Sequence, residues 1–350
     1  GFSDVTITTI DNAANGSGPE TIKSIKYNAP RDYTAQDRAV TAEDYKVLVK
    51  SLYANAQSVQ VYGGEDAATP DYGKVYISIK ARSGSNLTEV TKASLVQNLK
   101  SFAVASVTPV IIDPETTFIT ITTTFKYDSS LTTKDVSTLQ ADVLDAVSFY
   151  NTDTLENFTG MFRYSKVLET IDGADTSILS NITKVKMYKY ITATLNSGLK
   201  YTLSFNNAFF NPHSGHNSTA GGIVSSTGFK IINDDSTNEH FLDDDGAGII
   251  RVYYLSGTTR IYTDSTYGTI NYTTGEIILT SATITSISNV DGAASTQIRV
   301  IVQPDSNDVV PVRNQVLSID VANSTITGSV DTIESGSSQA GTSYTTTSSY

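Results

Sequence analysis

An α+β protein is predicted, with a ferredoxin-like α/β sandwich domain followed by a small antiparallel β-sandwich or barrel domain. Two observations carry this. Before residue 195, apolar residues recur at helical spacing between strands, in the order β-α-β-β-α-(α)-β. Beyond it, helical periodicity stops and short alternating strands recur between Gly- and Asp-rich turns. The expected organisation is a lead segment and contact loop at 1–40, the ferredoxin-like domain at 41–195, the β domain at 196–322 and a flexible tail at 323–350.

The first helix is marked by its start. Thr41 followed by Asp44 has capping-box spacing, the hydroxyl taking an amide of the first turn and the carboxylate reaching back to the cap. Val40 and Tyr45 occupy the two positions of a hydrophobic staple, and Tyr45, Leu48, Val49 and Leu52 form the apolar stripe. Arg31, Tyr33, Gln36 and Arg38 precede this start in what reads as a loop and have no folding task there. Arg and Tyr are the side chains enriched at interface anchors, so this loop is a candidate subunit contact.

Strands follow at 58–62 and 74–80, separated by the turn-rich Gly63-Gly64-Glu65-Asp66. A helix is predicted from Thr88 to Phe102, with Leu95, Val96, Leu99 and Phe102 on one face. Strands at 107–112 and 118–127 flank Asp113-Pro114, and the next helix is predicted to start from the cap Thr132 with Asp135 at the box position. A shorter helix carries Tyr164, Val167, Leu168 and Ile171 and stops at Asp172-Gly173, after which 182–191 returns as a strand. Asn196-Ser197-Gly198 then reads as a hairpin turn between flanking strands. The connection 206–226 is long and Gly/Ser/Asn-rich, and is expected to be ordered only where something packs against it.

Composition narrows the function. With 36 acidic and 24 basic residues the net charge is −12, which opposes attachment to nucleic acid or anionic lipid. The chain has no cysteine, hence neither disulfides nor thiolate metal sites. No signal peptide or long apolar span appears, and a start at Gly1 rather than Met suggests a fragment or a processed product.

Motifs for chemistry are scarce. His213 and His216 lie in a Gly-rich segment that does not hold ligand geometry, so a solvated loop is the better reading. Asp243-Asp244-Asp245-Gly246 lacks the full spacing and distal Glu of a calcium loop and reads as a hairpin turn between Phe241-Leu242 and Ile249-Ile250. Asn86-Leu87-Thr88 and Asn181-Ile182-Thr183 match glycosylation sequons by chance in an Asn/Thr-rich chain. No nucleophile elbow or phosphate-cradling loop is present, and neither cofactor, metal nor enzymatic activity is expected.

Several segments carry a resemblance: Ala29 to Tyr45, Val59 to Asp66, Tyr72 to Lys80, Phe162-Arg163-Tyr164-Ser165, Asn271 to Gly275 and Ser306 to Gln315. Together they resemble the baseplate-wedge proteins of T-even-like contractile-tailed phages, especially cyanophage relatives, and more distantly the J-type baseplate proteins. The resemblance implies the C-terminal half of such a protein. It implies a structural component of the virion tail baseplate, assembled in the host cytoplasm, that pairs with itself and with other wedge proteins in the inner ring. A β-rich receptor- or glycan-binding tail module is the alternative.

The last expectation concerns the C-terminal arm. Pro311 keeps 310–312 out of a central strand, whereas Val316, Leu317, Ile319 and Val321 lie in an alternating strand suited to adding onto a neighbouring subunit's sheet. The Ser/Thr-rich stretch after Glu334 is expected to order only on assembly.

Overall fold

The computed structural model describes residues 22–331 apart from 37, 68, 83–85, 105, 219–220, 233 and 235–236, so the expectations for 1–21 and for the tail after 331 lie outside the described residues. The chain divides into two compact units. One comprises Gly1–Glu115, Glu156–Thr159 and Arg313–Val316, and the other Thr116–Leu155, Gly160–Val312 and Leu317–Tyr350.

The first unit contains helices α1 (Ile22–Ala35), α2 (Ala42–Leu52) and α3 (Glu89–Lys100), and strands β1 (Ala56–Gly63), β2 (Lys74–Ala81) and β3 (Thr108–Ile112). The sheet order is β1-β2-β3, with β1 antiparallel and β3 parallel to β2. The parallel pair needs a crossover, which α3 supplies. Tyr45, Leu48 and Val49 of α2 and Leu95 and Leu99 of α3 share one core with Val59, Val61, Ile77 and Ile79 of the sheet. Gly64 is required where it stands, because a Cβ there would lie 1.9 Å from the Asp71 carbonyl oxygen.

In the second unit β4 (Glu115–Tyr127), α4 (Val136–Tyr150), α5 (Tyr164–Asp172) and β5 (Ile178–Thr192) are followed by β6 (Gly198–Ser204), β7 (Ser225–Ser226) and β8 (Phe229–Ile231). Then come β9 (His240–Asp244), β10 (Ile249–Ser256), β11 (Thr259–Asn271), β12 (Glu276–Ile287), β13 (Gln297–Val302), β14 (Gln315–Ile319) and β15 (Thr325–Val330). One sheet has the order β14-β4-β5-β13-β7, with β15 pairing parallel to β4. In the other, β8 to β12 close on themselves through β11–β12 pairing, and β6 extends β12 on its free side. The result is a five-stranded antiparallel barrel, and closure removes the exposed edges a flat sheet of that size would carry. One apolar cluster runs from Leu139, Val143 and Val147 of α4, through Ile121 and Met187, to Val252, Ile277 and Ile284 of the barrel.

Two pairings differ from expectation. The strands predicted to share one ferredoxin-like sheet are divided, β1 to β3 in one sheet and β4 and β5 in another. Pro109 lies in β3, an edge position that tolerates its missing N–H, and β4 spends its length on β5, β14 and β15 instead. Asn196-Ser197-Gly198 is not a hairpin turn between neighbours. β5 pairs with β4 and β13 whereas β6 pairs with β12, so the turn carries the chain from one sheet to the next, with Asn196 at φ 57°.

Helix starts are settled by charge and geometry. The Thr41–Asp44 box forms as predicted: Asp44 N–H donates to Thr41 Oγ1 (3.3 Å), and Thr41 N–H to Asp44 Oδ2 (2.8 Å). Val40 remains 66% exposed instead of closing over Tyr45, and Ala39 takes the buried place beside the cap. At α4 the cap is Asp135, whose carboxylate takes the Thr138 N–H at 2.9 Å, while Thr132 accepts only the Lys134 N–H. A charged acceptor at the positive helix end is the stronger choice. Among the described residues no helix is long and apolar enough to cross a membrane.

Candidate functional site

The predicted contact loop is mostly helix. Arg31 and Tyr33 lie in α1, which continues through Pro30 to Ala35. The Thr34 hydroxyl donates to the Pro30 carbonyl at 2.7 Å, and the guanidinium of Arg31 sits 3.7 Å from the Tyr27 ring centroid. Arg31 Nη1 donates to the Tyr27 carbonyl at 2.6 Å, Nε stands 3.8 Å from Glu43 Oε2, and the Tyr27 hydroxyl donates to the same carboxylate at 3.3 Å. Lys46, and then Tyr27 and Arg31, hold the Glu43 carboxyl below its usual range against the cost of partial burial. Arg31 therefore has a task that its sequence position does not reveal, clasping α1 to the first turn of α2. Tyr33 is 83% exposed, and Gln36 and Arg38 are exposed beyond the helix end, where Gln36 takes φ 48°. These three are the surface part of the predicted contact.

The predicted arm strand is enclosed by its own chain. β14 pairs with β4; Val316 and Leu317 are fully buried, Ile319 nearly so, and Val321 packs against the core. The Ile319 N–H donates to Asn151 Oδ1 at 2.7 Å. The alternation that suggested a strand held ready for a neighbour is satisfied by β4, so these four residues do not form an open surface in the isolated chain.

The most heavily bonded cluster was read only as a turn. The turn itself is correct: β9 and β10 form a hairpin, with Gly246 at φ 76° and Gly248 at φ 117°. Asp243 and Asp244, however, are strand residues with fully buried side chains. Asp243 accepts from Arg251 Nε (2.9 Å), Arg260 Nη1 (2.8 Å) and the Tyr262 hydroxyl (2.7 Å). Burial pushes its carboxyl upward, and those three donors pull it back. Asp244 accepts from Val224 N–H, Asn217 Nδ2 and the Tyr272 hydroxyl. Arg251 also donates to the carbonyls of Asn217, Ser218, Gly221 and Asp244. The polar 206–226 connection is thus tied down from within the chain. No sequence signal for it exists beyond a charged residue, Arg251, between the core residues Ile250 and Val252 of an apolar strand, on the face that the connection covers.

The cluster's carboxylates are used by guanidinium, phenol and amide donors, which is a structural use. Among the described residues no group of three or more His, Cys, Asp or Glu side chains is arranged to hold a metal ion. His213 is exposed, and His216 Nδ1 lies 3.1 Å from the His213 carbonyl.

The segments that carry the resemblance meet in space although far apart in sequence. Phe162 and Val309 exchange backbone hydrogen bonds (2.9 and 3.0 Å), while Asp308 takes Arg163 Nη1 and the Tyr164 N–H, both at 2.8 Å. Arg313 lies over the Tyr62 ring and Asn314 N–H donates to Gln60. A Cβ at Gly275 would meet the Asn207 carbonyl oxygen at 2.0 Å.

Residues 41–112 match the family model described as baseplate structural protein gp6, C-terminal domain I, and residues 115–190 match the one described as C-terminal domain III. The chain is similar to baseplate structural proteins over these stretches, and the junction between the two matches falls where β3 ends and β4 begins. One similar protein is the baseplate wedge protein gp6 of Enterobacteria phage T4, 30% identical over 193 residues. That match takes in 54% of this chain and 29% of the relative, so this chain spans under a third of that protein's length. A chain of the anti-feeding prophage (AFP) baseplate, solved by cryo-electron microscopy, overlaps 47% of this chain and 37% of its own at 14% identity, with a TM-score of 0.33. The barrel lies outside both family matches.

Proposed function

We propose that this protein is a structural component of a contractile phage tail baseplate, a wedge protein that helps form the inner ring by self-association and by binding other wedge proteins. The observation that carries the reading is the pair of consecutive gp6 family matches covering 41–112 and 115–190. The use of its buried charges supports it, since Asp243, Asp244 and Arg251 are spent on holding loops in place rather than facing an open cleft. Tyr33, Gln36 and Arg38 are the proposed contact on the first unit, with Arg31 as the residue that positions them.

Gold-labelled antibody against this chain, applied to intact particles of the parent virus, tests the reading. Label at the baseplate supports it. Label on the capsid, or at the tips of fibres alone, refutes it and favours a receptor-binding module.

A further inference from the structure

The core of the first unit is open at one end. Where β1 finishes and β2 and β3 begin, a cavity of about 330 Å³ lies between the strand ends and the start of α2. Small-molecule sites begin at about 300 Å³, and one water takes only about 30 Å³. Val40, Val61, Val75 and Val107 give the cavity apolar walls, and Tyr45, Glu65 and Lys74 bring polar groups to it. Val40 lines the cavity and is still 66% exposed, so the staple that would shut this end against Tyr45 is open to solvent.

Two polar groups of the lining have no partner. Tyr45 is 1% exposed, and its hydroxyl makes no hydrogen bond. Buried polar atoms are nearly always paired, so a lone phenol in a cavity wall is a hydrogen-bonding position open to a ligand. The second group is at the rim. Lys74 has its counter-charge in Asp71, 2.7 Å away, whereas the exposed Glu65 has no ion pair among the described residues. Its carboxylate is folded back over Gly63, where a Cβ would collide with both oxygens. The adjacent carboxylate shows what this loop takes: Asp66 pairs with Arg313 at 3.4 Å, and that guanidinium lies 5.1 Å from the centroid of Tyr62, another ring of the lining.

We propose that this cavity binds a small aliphatic cation, with an ammonium at one end of an apolar stem and a hydroxyl or carbonyl oxygen at the other. The ammonium stays at the rim on Glu65, because a charge carried inward would lose its hydration. The stem packs against Val61, Val75 and Val107 and covers Val40. The oxygen at the inner end takes the Tyr45 hydroxyl proton. Charge complementarity at Glu65 and the unpaired phenol thus fix the two ends of the ligand, and the valines fix what lies between them.

Isothermal titration calorimetry of the full chain with 5-amino-1-pentanol, pentylamine, 1-pentanol and pentanoate tests this. The amino alcohol is expected to bind tightest, pentylamine and 1-pentanol more weakly, and pentanoate not at all. Glu65→Gln should weaken the amino alcohol by about 10-fold or more, the scale of a hydrogen bond to a charged group, and leave 1-pentanol unchanged. Tyr45→Phe should bring the amino alcohol down to the affinity of pentylamine without lowering the melting temperature, since the hydroxyl has no bond in the free protein to lose. A lowered melting temperature with unchanged affinity would make that hydroxyl structural and overturn its role. Binding of 1-pentanol or pentanoate as tight as that of the amino alcohol would overturn the assignment of charge. Amino alcohol binding that survives both substitutions would lie elsewhere and overturn the site. Failure of every probe to bind would leave solvent as the partner of Tyr45 and overturn the proposal. None of these outcomes bears on the baseplate reading, which particle labelling tests by itself.

Discussion

Asp243 and Arg251 stand opposite each other on β9 and β10, both buried, with Oδ1 and Nε 2.9 Å apart. The pair lies beneath the polar connection before β7, and Arg251 carries three of that connection's carbonyls on its remaining N–H groups. The guanidinium replaces the secondary structure this segment lacks, because a loop carbonyl shut off from water needs some donor.

Removing one member leaves the other charged and enclosed. Asp243→Ala is expected to destabilise the second unit by about 3–5 kcal/mol, read from urea unfolding. Hydrogen exchange should quicken at 217–218 and 221 before it does in β13. A loss below about 1 kcal/mol, the range of a surface pair, would show that water reaches this cluster.

Thr41→Ala should cost about 1 kcal/mol through loss of the capping hydroxyl, with no effect on partner binding beyond that loss. Abolished binding at unaltered stability would instead make Thr41 part of a contact surface.

Gly64→Ala is expected to cost at least about 1–3 kcal/mol by overpacking, since its Cβ would meet the backbone of Asp71 rather than a side chain able to swing away. Gly257→Ala, in open space at φ 63°, carries only the conformational penalty and serves as the control. Equal melting temperatures for the two variants would contradict the close approach.

Acid sensitivity follows from Asp175, whose carboxyl is lowered from 3.8 to about 2, first by Lys134 and then by the Ser177 amide and hydroxyl. The folded form therefore binds the proton less readily than the unfolded form. The stabilisation is complete above 3.8 and is lost as pH falls from there to about 2. Asp175→Asn should melt below the wild type at neutral pH, and the gap should close over that acid window. A gap that does not change with pH would mean the Lys134 pair contributes nothing.

Tyr33→Ala combined with Arg38→Ala should leave the melting temperature of the isolated chain unchanged and reduce incorporation into baseplates, because both side chains are exposed. Arg31→Ala should lower stability by less than about 1 kcal/mol, the scale of an exposed ion pair. Full incorporation of the double variant would remove this surface from the proposed contacts.

The sequence by itself determined what is local. Thr41 with Asp44 fixed a helix start, Asp172-Gly173 a helix end, and alternation fixed most barrel strands, because caps and side-chain periodicity depend on neighbours within a few residues. Gly246 and Gly248, at positive φ, permit the β9–β10 turn. Only the tertiary structure decided which strands pair. β3 and β4 are separated by Asp113-Pro114 yet belong to different sheets, and β14 lies beside β4 although residues 128–314 lie between them in sequence. Asp243 changed from turn residue to buried anchor, and Arg31 from loop anchor to helix clasp, for the same reason. Their partners, Arg251 with Arg260 and Glu43 with Tyr27, are brought to them by sheet register and helix packing. A hydrogen bond needs its partner within about 3 Å, and sequence spacing does not give that distance once the chain has turned back on itself.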